Sequence, residues 1–252
     1  MLEGWGGGVV IALDFYFIRG VNKSCLFLTF VRVLMHWLLG YLSVLQFIVF
    51  MRNFCLLIII LLSFTSFSAD YYWVGGFGNW SEINHWATTS GGTNYHTVVP
   101  SLNDDVYFDA NSGVTSSTVV VLNQSVQSCH SFNASISMTL EGVTNSEFRI
   151  YGSFMTTGMV IINVQKVSFL SDEMGNTIFN FYRLGNGLVT FEGDGSWEFS
   201  SRIQMPNVNF VKGTILTNGN QWDVYRFDST GSGVRSLNIE NSQINFKPLA
   251  NS

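Results

Sequence analysis

Cysteine is scarce in this sequence of 252 residues, which contains only Cys25, Cys55 and Cys129. Only Cys129 lies beyond the apolar N-terminal part of the chain. The remainder can therefore form neither a framework of intrachain disulfides nor a zinc site built from cysteines. A lone cysteine of this kind is most simply a small buried apolar side chain, and we predict that role for Cys129.

Basic residues are also few. The whole chain carries 12 lysines and arginines against 17 aspartates and glutamates, which gives a formal net charge of −5. From residue 69 onward there are 8 basic and 15 acidic side chains, a net charge of −7 with neutral histidines. Binding to nucleic acid depends on clustered lysine and arginine, so this balance disfavours a nucleic-acid partner.

Helical periodicity is missing from residue 105 to the C terminus, where no stretch of ten or more residues repeats every 3.6 positions. Short runs of alternating apolar and polar residues recur instead, separated by Gly, Asn, Asp and Ser, as is typical of strands joined by turns. Two-residue hairpin signals are scarce; Asn218-Gly219 is the best and Gly185-Asn186-Gly187 the next. This part of the chain is therefore predicted to be all-β.

A degenerate repeat underlies these strands: apolar, polar, apolar, any residue, and then Gly, Asn or Ser, with one extra residue in one copy. The copies start at Met138, Phe148, Val167, Val189, Val208 and Leu237. From Phe148 to Val208 the starts recur about every 20 residues, which corresponds to one coil of a solenoid, and the last interval is longer. Such a coil buries its apolar side only against neighbouring coils. We predict a right-handed parallel β-helix over residues 105–252, with a β-sandwich as the alternative.

The N-terminal part of the chain is apolar, and a secretory signal peptide lies at its end. Met51-Arg52-Asn53 is a short positive start, an apolar run follows to Leu62, and small residues stand at Ser66 and Ser68. This order is typical of a signal peptide and its cleavage site. We predict a signal peptide over residues 51–68, cleavage after Ser68, and export to the cell surface or the extracellular space.

Residues 1–50 hold a second apolar stretch, from Cys25 to Phe50, interrupted by Arg32 and His36. About 20 apolar residues suffice to cross a membrane, so one hypothesis makes this stretch a transmembrane helix. The other takes Met51 as the true start and the upstream residues as a mistaken extension of the gene. We favour the second hypothesis because a well-formed signal peptide begins at an internal methionine. The chain would then meet a membrane only through its leader.

Tryptophan and glycine are concentrated between residues 71 and 111. Three of the seven tryptophans lie within fourteen residues, at a spacing that neither a helix nor a strand explains. The glycines between them mark tight turns. We predict that residues 69–104 form an N-terminal cap whose indole rings cover the open end of the solenoid. Its structural residues are Trp73, Gly75, Gly76, Gly78, Asn79, Trp80 and Trp86.

The cap resembles a known family, the large secreted and cell-surface proteins of Bacteroidota that carry Tyr-Trp-Val-Gly-Gly-x-Gly-Asn-Trp-Ser-Asp-x-x-His-Trp near their N terminus. The matching residues are Tyr72 to Gly76, Gly78 to Ser81, His85, Trp86, Pro100 and Asn103 to Asp109, with Glu82 where Asp is usual. The similarity extends over most of residues 70–246. It implies an adhesin-like β-helix from a family that is often uncharacterised, usually far longer, and ends in a sorting domain. Because the pattern still continues at Ser252, we expect the repeats to be truncated.

Acidic residues that follow the cap raise the question of a metal site. Asp104, Asp105 and Asp109 offer the carboxylate oxygens that calcium prefers, which makes them weak candidate calcium ligands. At such positions Asn and Asp more often bond to nearby backbone and end a strand in a turn. We favour the turn and expect no cofactor.

Some parallel β-helices act on polysaccharides, and that chemistry needs carboxylates that converge on one face, alone or with Arg or Lys. The candidates are Asp172, Glu173, Glu192, Asp194, Glu198 and Arg202, which form no catalytic signature. We therefore predict a non-enzymatic solenoid without catalytic residues, whose long stiff face makes weak repeated contacts with surface glycans or proteins. A polysaccharide lyase or hydrolase is the alternative.

Overall fold

The computed structural model describes residues 23–62, 68–182 and 187–247. The chain divides into two compact units, residues 1–65 and 66–252. The first unit holds a helix and the second holds every strand that the structure describes. Each unit is described by itself.

The first unit contains helix α1, which runs from Lys23 to Leu62. Its described side chains, those of residues 27–55, are all exposed. The segment Phe27–Cys55 has a mean hydropathy of 1.9 and spans 29 residues, about 44 Å of helix, which exceeds the ~30 Å hydrocarbon core of a bilayer. An N-terminal signal sequence meets the same criteria of length and composition. The helix passes unbroken through residue 51, and residues 63–67, next to the predicted cleavage site, lie outside the described residues.

The second unit is a β-solenoid of short strands. The strands are β1 (Asp70–Trp73), β2 (Gly78–Asn79), β3 (Trp86–Ala87), β4 (Asp105–Phe108), β5 (Val119–Leu122), β6 (Val126–Cys129), β7 (Phe132–Ala134), β8 (Met138–Gly142), β9 (Glu147–Ile150), β10 (Phe154–Thr156), β11 (Val160–Asn163), β12 (Lys166–Phe169), β13 (Asn176–Phe179), β14 (Leu188–Phe191), β15 (Ser196–Phe199), β16 (Ile203–Phe210), β17 (Gly213–Leu216), β18 (Gln221–Asp228), β19 (Arg235–Asn238) and β20 (Gln243–Phe246). A single 3-10 turn, Ile83–His85, precedes β3.

These strands form three sheets that make the sides of the solenoid. Sheet A has the order β19-β17-β15-β13-β10-β7-β4-β1-β3, sheet B has β11-β8-β5-β2, and sheet C has β20-β18-β16-β14-β12-β9-β6. All strand pairs in them are parallel except β1 with β3. Antiparallel hairpins would be needed for a sandwich. The predicted β-solenoid is confirmed, and the β-sandwich alternative is wrong.

The strongest hairpin signal in the sequence, Asn218-Gly219, marks a corner of the solenoid instead. Both residues adopt positive φ angles, 49° and 76°. They connect β17 in sheet A with β18 in sheet C, which are not paired with each other. Asn and Gly tolerate this left-handed conformation, so the same dipeptide serves a hairpin or a corner, and local chemistry does not distinguish them.

The repeat found in the sequence corresponds to a stacked column of inward-facing residues in sheet C. Phe148 pairs with Val167, Val167 with Val189, and Val189 with Val208, so each predicted repeat start lies beside the next. The next member of the column is Phe227. The first and last predicted members belong elsewhere. Met138 lies in β8 of sheet B and Leu237 in β19 of sheet A, because the same alternation of apolar and polar residues builds all three sides.

The core is a continuous apolar column inside the three sheets. Alternate residues of each strand point inward, as in β9, where Phe148 and Ile150 are fully buried between half-buried polar neighbours. Aromatic rings stack from coil to coil; the ring centroids of Phe108 and Phe132 lie 5.5 Å apart, and those of Phe132 and Phe154 lie 5.1 Å apart. Each fully buried Phe contributes about 1.5–3 kcal/mol of transfer free energy, so the core accumulates along the axis.

The two ends of the solenoid differ. At the N-terminal end β3 and its flanking loops cover the first coil. At the C-terminal end the inward-facing residues of the last strands are exposed: Leu237 is 38% exposed and Phe246 68%, whereas their register partners Ile215 and Val224 are fully buried. In the part of the chain that the structure describes, no strand lies beyond β19 in sheet A or β20 in sheet C.

Candidate functional site

The N-terminal cap is held together by indole and imidazole rings. The buried indole of Trp73 donates from Nε1 to the carbonyl oxygen of Gly76 at 2.8 Å. His85 stacks on Trp73 with ring centroids 4.5 Å apart and an interplanar angle of 5°. Its Nδ1 lies 2.6 Å from the carbonyl oxygen of Val74 and donates to it. These contacts fold the tryptophan-rich segment back on itself.

The other two cap tryptophans close the end of the core. Trp86 donates from Nε1 to the carbonyl oxygen of Trp80 at 2.8 Å, and the two rings meet edge to face at 4.8 Å. Trp80 also packs edge to face on Phe148 at 5.5 Å, so the cap reaches into the coils that follow it. Strand β1 of the predicted cap pairs in parallel with β4 and is therefore also the first strand of sheet A.

Glycine is required in the cap where rings and backbone come close. A Cβ atom on Gly78 would lie 2.2 Å from His85 Nε2, and one on Gly75 would lie 3.0 Å from His85 Nδ1. A Cβ atom on Gly76 would lie 2.8 Å from the carbonyl oxygen of Gly113. Asn79 donates from its backbone N and its side chain to the carboxylate of Glu82, at 3.0 and 2.9 Å. The predicted cap residues therefore serve packing and turn formation.

The three candidate calcium ligands bond to the protein itself. Asp104, which is 6% exposed, accepts hydrogen bonds from the backbone N of Ala69 at 3.1 Å and from the backbone N and Oγ of Ser101 at 2.9 and 2.6 Å. Asp105 accepts from the Nδ1 of His130 at 2.8 Å. Asp109 accepts from the backbone N of Asn111 at 2.9 Å, from Ser112 Oγ at 3.5 Å, and caps a turn.

Metal-binding geometry is not found in the described ranges 23–62, 68–182 and 187–247, where no group of three or more His, Cys, Asp or Glu side chains could hold an ion. Cys129 is fully buried in the core, and burial raises the pKa of its thiol well above the usual value. Its side chain therefore packs as the small apolar group predicted from the sequence.

The carboxylates proposed for polysaccharide chemistry lie on different parts of the solenoid. Glu192 follows β14 in sheet C and bonds to Lys166, whereas Glu198 lies in β15 of sheet A. Asp194 pairs with Lys212 at 2.9 Å and is 73% exposed. Asp172 lies beside Asp194 and accepts from its backbone N at 2.9 Å, whereas Glu173 lies 3.6 Å from His130 Nε2 and Arg202 bonds to Asp223. The structure therefore brings Asp172 and Asp194 together, but not the set as a whole.

The outward side of sheet C carries a row of mostly polar residues, which we call the sheet C outer face. Its residues alternate with the core residues of β9, β12, β14, β16 and β18. They are Glu147, Arg149, Lys166, Ser168, Leu188, Thr190, Asn207, Asn209, Arg226 and Asp228, of which Ser168 and Thr190 are buried. Parallel in-register pairing places these residues together, because it aligns equivalent positions of neighbouring strands.

One half of this face is a closed network around Glu147. Its carboxylate accepts from Arg149 Nε and Nη2 at 3.0 and 2.8 Å and from Ser168 Oγ at 2.6 Å, and it lies 3.2 Å from Lys166 Nζ. Lys166 also bonds to Glu192 at 2.9 Å. Desolvation opposes ionisation of Glu147, but these donors outweigh it and lower its pKa from 4.5 to about 2. The network is satisfied internally and stiffens the ladder.

The other half of the face contains an open groove. Its described lining consists of Leu188, Asn207, Val208, Asn209, Arg226 and Asp228, and its volume is about 400 Å³. We call it the Arg226 groove. Arg226 is 74% exposed, and its Nη2 lies 3.8 Å from Asp228 Oδ2, a loose ion pair. A groove of this size is within the range of small-ligand sites.

A second buried carboxylate lies towards the C-terminal end, on the long strand β18. Asp223 is completely buried and accepts hydrogen bonds from Arg202, Lys247, Gln221 and Asn245. These donors outweigh desolvation and hold its pKa well below the usual value. The network joins the residue before β16, strand β18, strand β20 and the residue after β20, so it links the last coils.

The sheet C outer face and the Asp223 network were not predicted from the sequence. The signal for the face was present in the polar positions that separate the apolar members of the repeat, because residues on either side of Phe148, Val167, Val189 and Val208 must share one surface. Which of those polar residues stay open to solvent depends on side-chain pairing between coils.

Comparison with known proteins gave no match: no family model, no curated protein and no solved structure resembles this chain significantly.

Proposed function

We propose that this chain is an exported, non-enzymatic β-solenoid, part of an adhesin-like surface or extracellular protein that binds glycans or proteins along the sheet C outer face. The observation that carries the proposal is the Arg226 groove, an open polar groove on a stiff in-register ladder. A face built on hydrogen-bonded strands holds its binding groups in place before a ligand arrives, which lowers the entropic cost of binding.

Export is supported by two features. Helix α1 has the length and composition of a signal sequence or a membrane-crossing helix. The cap also resembles the N-terminal region of Bacteroidota surface proteins, and its matching residues, such as Trp73, Gly78 and His85, make specific packing contacts. Both are consistent with a signal peptide that ends at residue 68 and a solenoid that acts outside the cell.

Export is tested by expressing the full chain with a C-terminal tag in a Gram-negative bacterium and measuring the mass of the recovered protein. We expect a mature form that begins at Ala69 and is released from the membrane. Recovery of an uncleaved chain in the membrane fraction would contradict the signal peptide and support the hypothesis of a transmembrane helix.

Binding is tested with the full chain by affinity electrophoresis in gels that contain one polysaccharide each, neutral or acidic. We expect retarded migration with at least one polysaccharide and no new reducing ends after prolonged incubation. The alternative function, a polysaccharide lyase or hydrolase, needs converging carboxylates. Glu198 lies on sheet A, and Glu192 and Asp194 each bond to a lysine, which weighs against it; release of new sugar ends would establish it.

A further inference from the structure

We infer that the Arg226 groove binds a carboxylated sugar residue of an acidic polysaccharide. This inference rests on the proposed function and names the ligand class of the same face. It is carried by the pairing of the arginines, by the lining of the groove, and by its position along the ladder.

Arg226 differs from the other arginines of the solenoid that the structure describes. Arg149 places both Nε and Nη2 on Glu147, and Arg202 does the same with Asp223. Arg235 donates to the carbonyl oxygens of Val211 and Gly231. The nearest carboxylate oxygen to Arg226 lies 3.8 Å away, beyond hydrogen-bond distance. Its guanidinium is therefore the one with donors to offer a ligand.

A guanidinium with open donors recognises planar anions. Its fork of N–H groups matches a carboxylate in a bidentate arrangement, with two parallel charge-assisted hydrogen bonds. At 74% exposure Arg226 can turn towards a ligand that enters the groove without losing a buried partner. The recognised group is thus an anion with two coplanar oxygens.

The lining of the groove fits a sugar ring. Leu188 is partly exposed and gives the groove an apolar side chain. Asn209 lies on an outward position of β16 and brings an amide group to the rim. A sugar presents apolar C–H groups on its ring and hydroxyls around its edge, and amides can both donate to and accept from hydroxyls.

Asp228 narrows the ligand class further. Its Oδ1 accepts from the backbone N of Thr230 at 2.9 Å, which fixes the carboxylate at the edge of the groove. A negative charge there can accept from a sugar hydroxyl and repels anions, a densely charged ligand such as a heavily sulfated chain more strongly than one with a single carboxylate. The groove therefore favours a sugar that carries one carboxylate and free hydroxyls.

The groove lies on a ladder that suits a polymer. Lys166, Leu188, Asn207 and Arg226 occupy the same position on four successive strands of sheet C. At about 4.8 Å per strand, Lys166 and Arg226 are separated by about 14 Å along the solenoid axis. A polymer that lies along this axis can place one carboxylate at Arg226 while its further residues continue over Asn207 and Leu188 towards Lys166, whose amine is already bonded to Glu147 and Glu192.

The test measures retardation of the full chain in gels that contain alginate, dextran sulfate or neutral dextran. Three variants are compared with the parent: Arg226→Gln, Arg226→Lys and Lys212→Gln. The last removes the same charge from an ion pair with Asp194, and neither residue belongs to the described lining of the groove. We expect binding to alginate, a loss of affinity of about tenfold or more for R226Q, a smaller loss for R226K, and a change below twofold for K212Q.

Each result decides the inference, provided that thermal melts show all variants folded. An equal loss for R226Q and K212Q would show attraction by net charge alone and would overturn it. Tighter binding to dextran sulfate than to alginate would overturn the carboxylate as the ligand group. Binding only to neutral dextran would overturn this inference and leave the proposed function standing. Failure to bind any polysaccharide or protein partner would overturn both.

Discussion

The fit between Gly78 and His85 gives a sharp test of how the cap is built. A methyl group added by Gly78→Ala would lie 2.2 Å from His85 Nε2, so the imidazole must move. Movement breaks the stack on Trp73, worth about 0.5–1.5 kcal/mol, and the hydrogen bond to the carbonyl of Val74, worth about as much. A forced off-rotamer side chain adds about 0.5–1.5 kcal/mol. We expect G78A to lower the free energy of unfolding by about 2–4 kcal/mol.

The cause of that loss can be isolated with a double-mutant cycle. H85A alone should cost about 1–3 kcal/mol, because it removes the same stack and hydrogen bond. In the H85A background the added methyl group meets no ring, so G78A should cost less than about 1 kcal/mol. The measurement is urea unfolding of the full chain in a non-ionic detergent, followed by tryptophan fluorescence. Additive costs of the two substitutions would refute the assigned contact.

Three further perturbations test other parts of the solenoid. Because the pKa of Glu147 is lowered from 4.5 to about 2, its ion pairs stabilise the fold above pH 4.5 and lose this effect as the pH falls towards 2. E147Q should therefore lower the free energy of unfolding by about 1–2 kcal/mol at pH 7, after allowance for solvent screening. In E147Q the melting temperature should also fall less steeply between pH 4.5 and pH 2 than in the parent. D104A should lower the free energy of unfolding by about 1–3 kcal/mol, because it leaves the donors of Ala69 and Ser101 unsatisfied. EDTA or added calcium should leave the melting temperature of the parent unchanged. A calcium-dependent shift would contradict the assignment of these carboxylates to turns. F169A should lower the free energy of unfolding by about 3–5 kcal/mol, because it opens a cavity between stacked coils. The control is L188A, an outward-facing residue on the adjacent strand of sheet C. Equal losses of stability for both variants would contradict the inward orientation of Phe169.

The β-solenoid was predictable because its pattern is local and repeated. Alternation within short runs indicated strands. The repeat starts from Phe148 to Val208 are the residues that pair with one another on successive strands of sheet C. The same local pattern could not say which side of the solenoid a strand occupies. Met138 and Leu237 carry the motif of sheet C and lie in sheets B and A, since every side requires the same inward and outward alternation.

The cap was predictable as a region and not as a set of contacts. Tryptophans and glycines in the sequence indicated tight turns around buried rings, but no periodicity assigns His85 to the space beside Gly78 or Trp86 Nε1 to the carbonyl of Trp80. Those choices depend on how the loop folds back over the first coils. Asp104, Asp105 and Asp109 likewise acquired their hydrogen-bond partners only when distant residues such as His130 came beside them.

The sequence by itself determined the class of structure: an apolar N-terminal helix, an acidic strand-rich remainder, a regular coil length and an aromatic cap. These follow from composition and from the period of apolar residues, which each stretch carries within itself. The tertiary structure alone decided which polar groups are hydrogen-bonded within the protein and which face solvent. Arg149 and Arg226 are both arginines on outward positions of sheet C, yet Arg149 is committed to Glu147 and Arg226 opens onto a groove. Each arginine has a carboxylate two residues away, so sequence spacing does not explain the difference. Glu147 is also bonded by Ser168 and Lys166 of the next coil, whereas Asp228 accepts from the backbone N of Thr230, and only stacking of the coils brings Ser168 and Lys166 to Glu147.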